Sequence, residues 1–380
     1  MSIIPFVGLK KSAVDWVSFS AAIALCGLGL LTMNSFQGVD PLVVKQMVWV
    51  VIGVVVFFTA AFVNWRFLRR SGVAGGIYAV LLVPLVFLIV VGNATHGARS
   101  WFDIGPFAFQ PIEFAKLALI IVLAKYFSRR HIEIRNIRHI LFSGGYALVV
   151  FALVALQPDF GSAIIVFLIW LGMVLVSGIS RAHLAAIFLL GIAVLGGLWF
   201  FGFQEYQRTR ILTFLNPMTD LQGAGYNAYQ STVAVGSGQI LGKGIAYGTQ
   251  SKLRFLPEYQ TDFIFAAFSE EWGLIGVGLL FVLYGLLFFK IIAMAGLGAT
   301  NFETLFALGV LFYLLSHFGL HVGINIGLFP VTGTTIPFMS YGGSHIVAEF
   351  LALGMLSGMR RYSRAAHSEA YKNEFSGYAS

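Results

Sequence analysis

One carboxylate stands where a polar segment turns apolar. In FLPEYQTDFIFAAFSEEWG (255–273), Glu258, Gln260, Thr261 and Asp262 run directly into Phe263, Ile264 and Phe265. Glu270 and Glu271 follow about two helical turns further on. Ionisable side chains at or inside a membrane boundary are costly to place and are functional by default. Asp262 suits two compatible roles. It can cap the helix that begins there, and it can accept a proton or hold a divalent cation.

Cations share that polar segment. Arg208 and Arg210 flank Thr209, and Lys243 sits in a glycine-rich stretch. Guanidinium forks match phosphate oxygens in two-point contacts, so the arginines are candidates for holding a pyrophosphate. The plainer reading is snorkelling beside lipid headgroups. An acid among several cations suits an anionic substrate, and Mg²⁺ prefers carboxylate and phosphate oxygens. Glu258 joins Arg208, Arg210 and Lys243 among the substrate-binding candidates.

Further polar residues interrupt apolar runs. Glu113 and Lys116, three apart, share a helix face and can neutralise each other, which reads as support for a cavity rather than as catalysis. Asp159, in QPDFGS, is a turn and capping residue by type, and a supporting candidate for the same site. His317 and His321 are spaced i, i+4 without an intervening HExxH-type acid, so core hydrogen bonding is the expected role. Glu349 is a buried-acid candidate whose partner the sequence does not name. Residues 238–244 resemble a phosphate loop only superficially, because the spacing is one short and no Ser or Thr follows Lys243. Ser340 and Ser344, in SYGGS, offer hydroxyls beside a helix N-terminus, where anions are favoured; helix capping explains them equally well.

The elements that must position these groups are membrane helices. Of 380 residues 58% are hydrophobic and 11% charged, whereas a soluble globular chain carries about 25% charge. The strand alternation of a β-barrel is not seen. The single cysteine, Cys26, rules out a disulfide framework. The first apolar run is long and is followed by others, unlike a cleavable signal peptide. About ten helical spans are expected, over 16–33, 46–63, 72–91, 111–127, 140–156, 161–178, 183–203, 263–294, 302–325 and 344–359. The eighth is either one long tilted helix or bends at 273–278.

The formal charge of +8 is distributed as in a membrane protein, and no nucleic-acid partner is expected. One set of loops collects Lys10, Lys11, Arg66, Arg69, Arg70, Lys125, Arg129, Arg130, Arg135, Arg138, Arg181, Lys290, Arg360, Arg361, Arg364 and Lys372. The other holds Lys45, Arg99, Arg208, Arg210, Lys243, Lys252 and Arg254. The bias places both termini in the cytoplasm. The chain is expected to be a single polytopic membrane domain (1–380) with a large extracytoplasmic loop (204–261) between helices seven and eight and a cytoplasmic tail (360–380). Within the loop, 226–235 can form a short interfacial helix, and 236–248 allows tight turns and close backbone approach to a ligand. A second irregular segment, 327–343, holds Pro330 and Pro337, and irregular backbone at membrane depth requires protein or a watery cavity to satisfy it. The two loops are expected to meet over a cavity.

Together these motifs resemble the SEDS family (shape, elongation, division and sporulation). The residues that carry the resemblance are QPIEFAK (110–116), QPDFG (157–161), YQRTR (206–210), GKG (242–244), GTQS (248–251), LPE (256–258), TDFIF (261–265) and SYGGS (340–344), in family order over nearly the whole chain. The GKG…GTQS…LPE…TDFIFA run is similar to RodA, the elongation branch, more than to FtsW, the division branch. Ile112, His321 and His345 depart from the usual Ser, Asn and small residue.

The resemblance implies a ten-span bacterial inner-membrane peptidoglycan glycosyltransferase that polymerises lipid II into β-1,4 glycan. It implies that the acid matching Asp262 is required and is associated with a divalent cation, Mg²⁺ or Mn²⁺, and that the pair matching Glu113 and Lys116 lies in the transmembrane core. It also implies a class B penicillin-binding protein as partner and a wider rod complex including MreC and MreD. Whether Asp262 acts as general base or metal ligand stays open. A lipid II flippase is the alternative reading of the same spans and charges, and a scaffold for cell-wall enzymes is a third.

Overall fold

The computed structural model describes residues 14–35, 41–70, 72–91, 100–105, 107–129, 137–197, 199–200, 205–216, 224–253 and 255–376. Expectations for Lys10, Lys11, Arg99, Arg130, Arg135 and Arg254, and for the side chains of Arg364 and Lys372, lie outside what is described. The described chain is almost entirely helical: α1 (Trp16–Asn34), α2 (Pro41–Phe62), α3 (Val73–Val91), α4 (Pro111–Ser128), α5 (Ile137–Ala155), α6 (Phe160–Val176), α7 (Arg181–Gly197), α8 (Glu205–Leu215), α9 (Ala224–Ser237), α10 (Thr249–Lys252), α11 (Ile264–Gly296), α12 (Asn301–Asn325) and α13 (Gly343–Ser376). A small antiparallel hairpin, β1 (Phe102–Ile104) with β2 (Phe107–Phe109), precedes α4.

Each expected span falls on a helix over its described residues; residues 198 and 201–203 of the seventh lie outside them. Six of these helices, α1, α2, α3, α5, α11 and α12, are long and apolar enough to cross a membrane. Their apolarity is not confined to the interior. Val80, Val90 and Phe142 are exposed, as are Leu189 and Ile192 on the shorter α7, as befits surfaces whose solvent is lipid. α4 differs, being buried nearly all round, charged side chains included. It packs against α3, α5, α6, α12 and α13, while α2 and α13 form the most extensive helix pair. α13 runs past the expected end at Met359 as far as Ser376, so the first part of the expected tail is helical.

The eighth span is where structure and expectation differ most. Its 33 residues are not one rod, because Gly273 breaks it at φ 61°, ψ −165°, a region open essentially to glycine alone. The break is a reversal. Sixteen residues of straight helix cover about 24 Å, yet the rings of Phe265 and Phe281 stack at 6.2 Å. Residues 264–272 therefore fold back along 274–296, and the longer arm alone, about 35 Å of helix, suffices to cross the hydrocarbon core. Glu270 and Glu271, expected two turns deeper than Asp262, instead flank the crest of this hairpin. There the Ser35 hydroxyl, at the end of α1, donates to Glu271 Oε2 at 3.2 Å.

Candidate active site

A break in a helix orphans carbonyls on one side and N–H groups on the other. One loop satisfies both ends here. Lys243 N and Gly244 N donate to the carbonyls of Glu270 and Glu271, while Leu274 N and Ile275 N donate to those of Gln239 and Ile240. The approach is so close that a Cβ on Gly242 would collide with the Glu271 carbonyl. Side chains strengthen the clasp. Lys243 Nζ lies 2.7 Å from Glu270 Oε1, which also accepts from Gln250 N, and Ala246 N donates to Glu271 Oε1 at 2.7 Å. The glycines of 236–248 thus admit this chain's own backbone, where the sequence pointed to a ligand.

The other end of the short arm carries Asp262. Its backbone is held from several sides: Asp262 N donates to Glu258 O, and Ser340 Oγ donates to Thr261 O at 2.8 Å. Asn325, on the last turn of α12, donates to Asp262 O at 3.0 Å and accepts from Ala266 N at 3.1 Å. The carboxylate itself is only partly buried, with Oδ2 3.5 Å from where a Cβ on Gly333 would lie. Gly333 belongs to the irregular segment after α12, so the two loops expected to meet do meet here.

Burial pushes the Asp262 carboxyl up to about 7, and the Glu258 carboxylate adds to the rise; Arg210 and the Thr261 hydroxyl oppose it. Asp159, which caps α6 through Ser162 N at 3.0 Å, is also raised by burial and contributes weakly to the negative potential at Asp262. An acid held half-protonated near neutrality, beside two further carboxylates, is both a serviceable proton acceptor and a site a divalent cation would neutralise. Oxygen donors of this kind fit Mg²⁺ or Mn²⁺.

Arg210 lies on α8 and lines a cavity of about 200 Å³ with Phe214, Tyr229, Phe329 and Val331. Arg208 donates to Phe200 O at 3.3 Å. Two expected substrate contacts have structural partners instead. The Ser340 hydroxyl is engaged with Thr261 O and accepts from Ile336 N, and the Ser344 hydroxyl accepts from Gln110 N at 2.8 Å, tying α13 to the entry of α4.

A second polar cluster lies wholly in the interior. Glu113 Oε1 bonds Lys116 Nζ at 2.7 Å, and Glu113 Oε2 accepts from Tyr313 OH at 2.9 Å and faces His345 Nδ1 at 3.0 Å. Lys116 Nζ also meets His317 Nε2 at 3.1 Å, and the His317 Nδ1 side is taken by Thr335 O. His345 Nε2 stands 2.9 Å from Glu349 Oε1, which supplies the partner that the sequence left unnamed. Two acids and two possible cations stand together, so the group can be neutral as a whole. Glu113, His317 and His345 offer ligand atoms within 4.8 Å of one another. A metal there would have to displace the Lys116 ammonium, which already bridges Glu113 and His317.

This arrangement of helices and charges has relatives. The profile described as "cell cycle protein", covering FtsW, RodA and SpoVE, matches residues 17–365. The chain belongs to the FtsW/RodA/SpoVE family. It is 34% identical to the peptidoglycan glycosyltransferase MrdB of Escherichia coli K12, across 93% of this chain and 97% of that one. It is 33% identical to stage V sporulation protein E of Bacillus subtilis, across 93% and 99%. Among solved structures, it superposes on Thermus thermophilus rod shape determining protein RodA with a TM-score of 0.69 at 30% identity, covering 92% of this chain and 97% of that one. A chain from a peptidoglycan synthase complex, described for its coordination of polymerization and crosslinking, superposes with a TM-score of 0.79 at 32% identity, covering 92% and 98%.

In this FtsW/RodA/SpoVE chain the fold brings Glu258, Arg210 and Asp159 within electrostatic reach of Asp262, and Glu113 and Lys116 into the interior cluster. Sequence reasoning passed over Asn325, Tyr313 and His345 as working parts of these clusters. The signal for Asn325 and Tyr313 was polarity in otherwise apolar helices; His345 stood out as a departure from the small residue usual after SYGGS.

Proposed function

We propose that the chain is a peptidoglycan glycosyltransferase of the bacterial inner membrane, polymerising lipid II into β-1,4 glycan during elongation. The observation that carries this reading is the Asp262 carboxyl, raised to about 7 and only partly buried beside Arg210, in a chain similar to named peptidoglycan glycosyltransferases over nearly its full length. The 4-hydroxyl of GlcNAc in an incoming lipid II attacks MurNAc C1 of the growing strand. The C1–oxygen bond to undecaprenyl pyrophosphate breaks, its electrons leave with the pyrophosphate, and the configuration inverts.

Asp262 accepts the hydroxyl proton as the new bond forms, which its raised value permits at neutral pH. Arg210 and Arg208 offset the negative charge that gathers on the leaving group. The apolar walls beside Arg210 accommodate the first isoprene units of a lipid carrier. Glu258 holds the Asp262 value up. Lys243, Ser340 and Ser344 keep the frame, and Glu113, Lys116 and Asp159 support it from within. A divalent cation bound at Asp262 would polarise phosphoryl oxygens and neutralise the local acids.

A class B penicillin-binding protein is the partner this reading calls for, with MreC and MreD in the wider assembly; the likeness to a chain of a peptidoglycan synthase complex supports the first. The region 204–261 is read as the extracytoplasmic loop of a single polytopic domain, and 360–380 as its cytoplasmic end.

One observation favours a second reading. Broken helices are typical of transporters, and 264–272 is a half-helix broken from 274–296 at Gly273. Purified protein incubated with labelled lipid II and Mn²⁺ separates the two. Glycan ladders that vanish in Asp262→Asn support the transferase. Near-normal ladders from Asp262→Asn would eliminate the assignment, and movement of intact monomeric lipid II across vesicles would favour the flippase.

A further inference from the structure

Asn325 occupies an unusual crossing point. It is fully buried at the last turn of α12, where four carbonyls of any helix lack intrahelical partners. Its carboxamide does not simply cap that turn. The nitrogen donates to His321 O at 2.8 Å within its own helix and to Asp262 O at 3.0 Å across the gap. The oxygen accepts from Ala266 N, one of the orphan donors at the start of the folded-back arm, at 3.1 Å. Meanwhile Ser231 Oγ, on α9, donates to Asn325 O at 3.0 Å. One side chain therefore fixes both the residue bearing the acid and the first turn above it.

From this geometry we infer that Asn325 is a positioning residue for Asp262. It sets the height and direction of the carboxylate by locking the Asp262 carbonyl and the Ala266 N–H to the end of α12. Asp262 lies outside regular helix, its side chain is only partly buried, and Phe263 has φ −122°, ψ 22° rather than helical values. The neighbouring anchors act on other atoms: Ser340 holds Thr261 O, and Glu258 O receives the Asp262 N–H. Phe263 is also buried and its N–H donates to Glu258 O at 3.2 Å, but the two-ended carboxamide is the group that ties the chain on both sides of it, at Asp262 O and Ala266 N, to the end of α12. No apolar residue of similar size can reproduce a donor and an acceptor on one planar group.

The inference rests on Asp262 carrying the reaction, as proposed above, and is tested separately from it. Full-length Asn325→Ala and Asn325→Asp proteins are assayed for lipid II polymerisation, with kcat and KM measured apart and the thermal midpoint followed in detergent. The Asp variant keeps size and the acceptor but loses both donors. Misplacing a reacting group by about 1 Å costs on the order of a hundredfold in rate. The expected result is a fall in kcat of about tenfold or more in both variants, with KM within about twofold.

Unchanged kcat in either folded variant overturns the inference. So does a fall in which kcat, KM and the midpoint move together, since that is the signature of general loosening. Should both Asn325 variants aggregate, Ser231→Ala, which leaves the carboxamide intact but frees one end of its support, decides the matter: a lower kcat at unchanged KM supports the role, and wild-type kinetics overturn it. Asp262→Asn run alongside reports on the underlying assignment, because its full activity would remove the acid that Asn325 is said to orient.

Discussion

Asp262 and Glu113 are both carboxylates in a membrane protein, and they are held in opposite ways. Glu113 is spent: its oxygens face Lys116, Tyr313 and His345 within 3.0 Å, and its side chain is almost entirely enclosed. Asp262 is fixed through its backbone, while the carboxylate keeps an open face and feels Glu258, Arg210 and Asp159 through space. The contrast separates charge that holds helices together from charge left free to react. A buried acid whose lone pairs are all engaged has nothing to offer a substrate. One that is anchored by its main chain can turn its side chain to the work.

The sharpest break of this contrast is Asp262→Asn, which removes polymerisation by two orders of magnitude or more, about what a general base contributes, while the melting temperature stays put. Glu113→Gln does the reverse of a clean catalytic lesion. It strands the Lys116 ammonium in the interior, at a cost of about 3–5 kcal/mol in stability, read as a large drop in thermal midpoint. The paired change Glu113→Leu with Lys116→Met removes both charges and recovers much of that loss. An Asp262→Asn protein that melts early, or a Glu113→Gln protein that melts normally, would reverse the two roles.

Smaller effects sharpen the picture further. Since Asp262 titrates near 7 and must be ionised to accept a proton, the rate falls as pH drops through that region. Glu258→Gln removes a negative neighbour, so the acidic limb moves to lower pH. Arg210→Ala removes a positive one, so the limb moves to higher pH, whatever happens to the maximal rate. Limbs that shift in the same direction would sink this electrostatic account. The smallest change is Ser344→Ala. It deprives the Gln110 N–H of its partner and costs about 1 kcal/mol of stability with little effect on rate.

Much of this was legible in the sequence. Apolar runs gave the helices, because twenty residues of Leu, Val and Phe have few alternatives in lipid, and Asp262 was conspicuous at the head of one such run. The i, i+3 spacing of Glu113 and Lys116 likewise foretold their pairing. What could not be read is long-range. Gly273 announced a possible bend, but only the contact between Phe265 and Phe281 reveals its direction. Lys243 looked like a ligand for phosphate because its true partner, Glu270, lies 27 positions away across a turn of unknown geometry. His345 departs from the residue expected of its neighbourhood, and its meaning emerges only when α4 and α13 bring Glu113 and Glu349 to either side of it.

The clasp over Gly273 has a mechanical corollary. Four main-chain hydrogen bonds join the crest to residues 239–244, so lifting that loop would strip partners from both halves of the hairpin at once. The loop, the crest and the short arm are therefore bound into one unit, with Asp262 at its far end, pinned there to the last turn of α12.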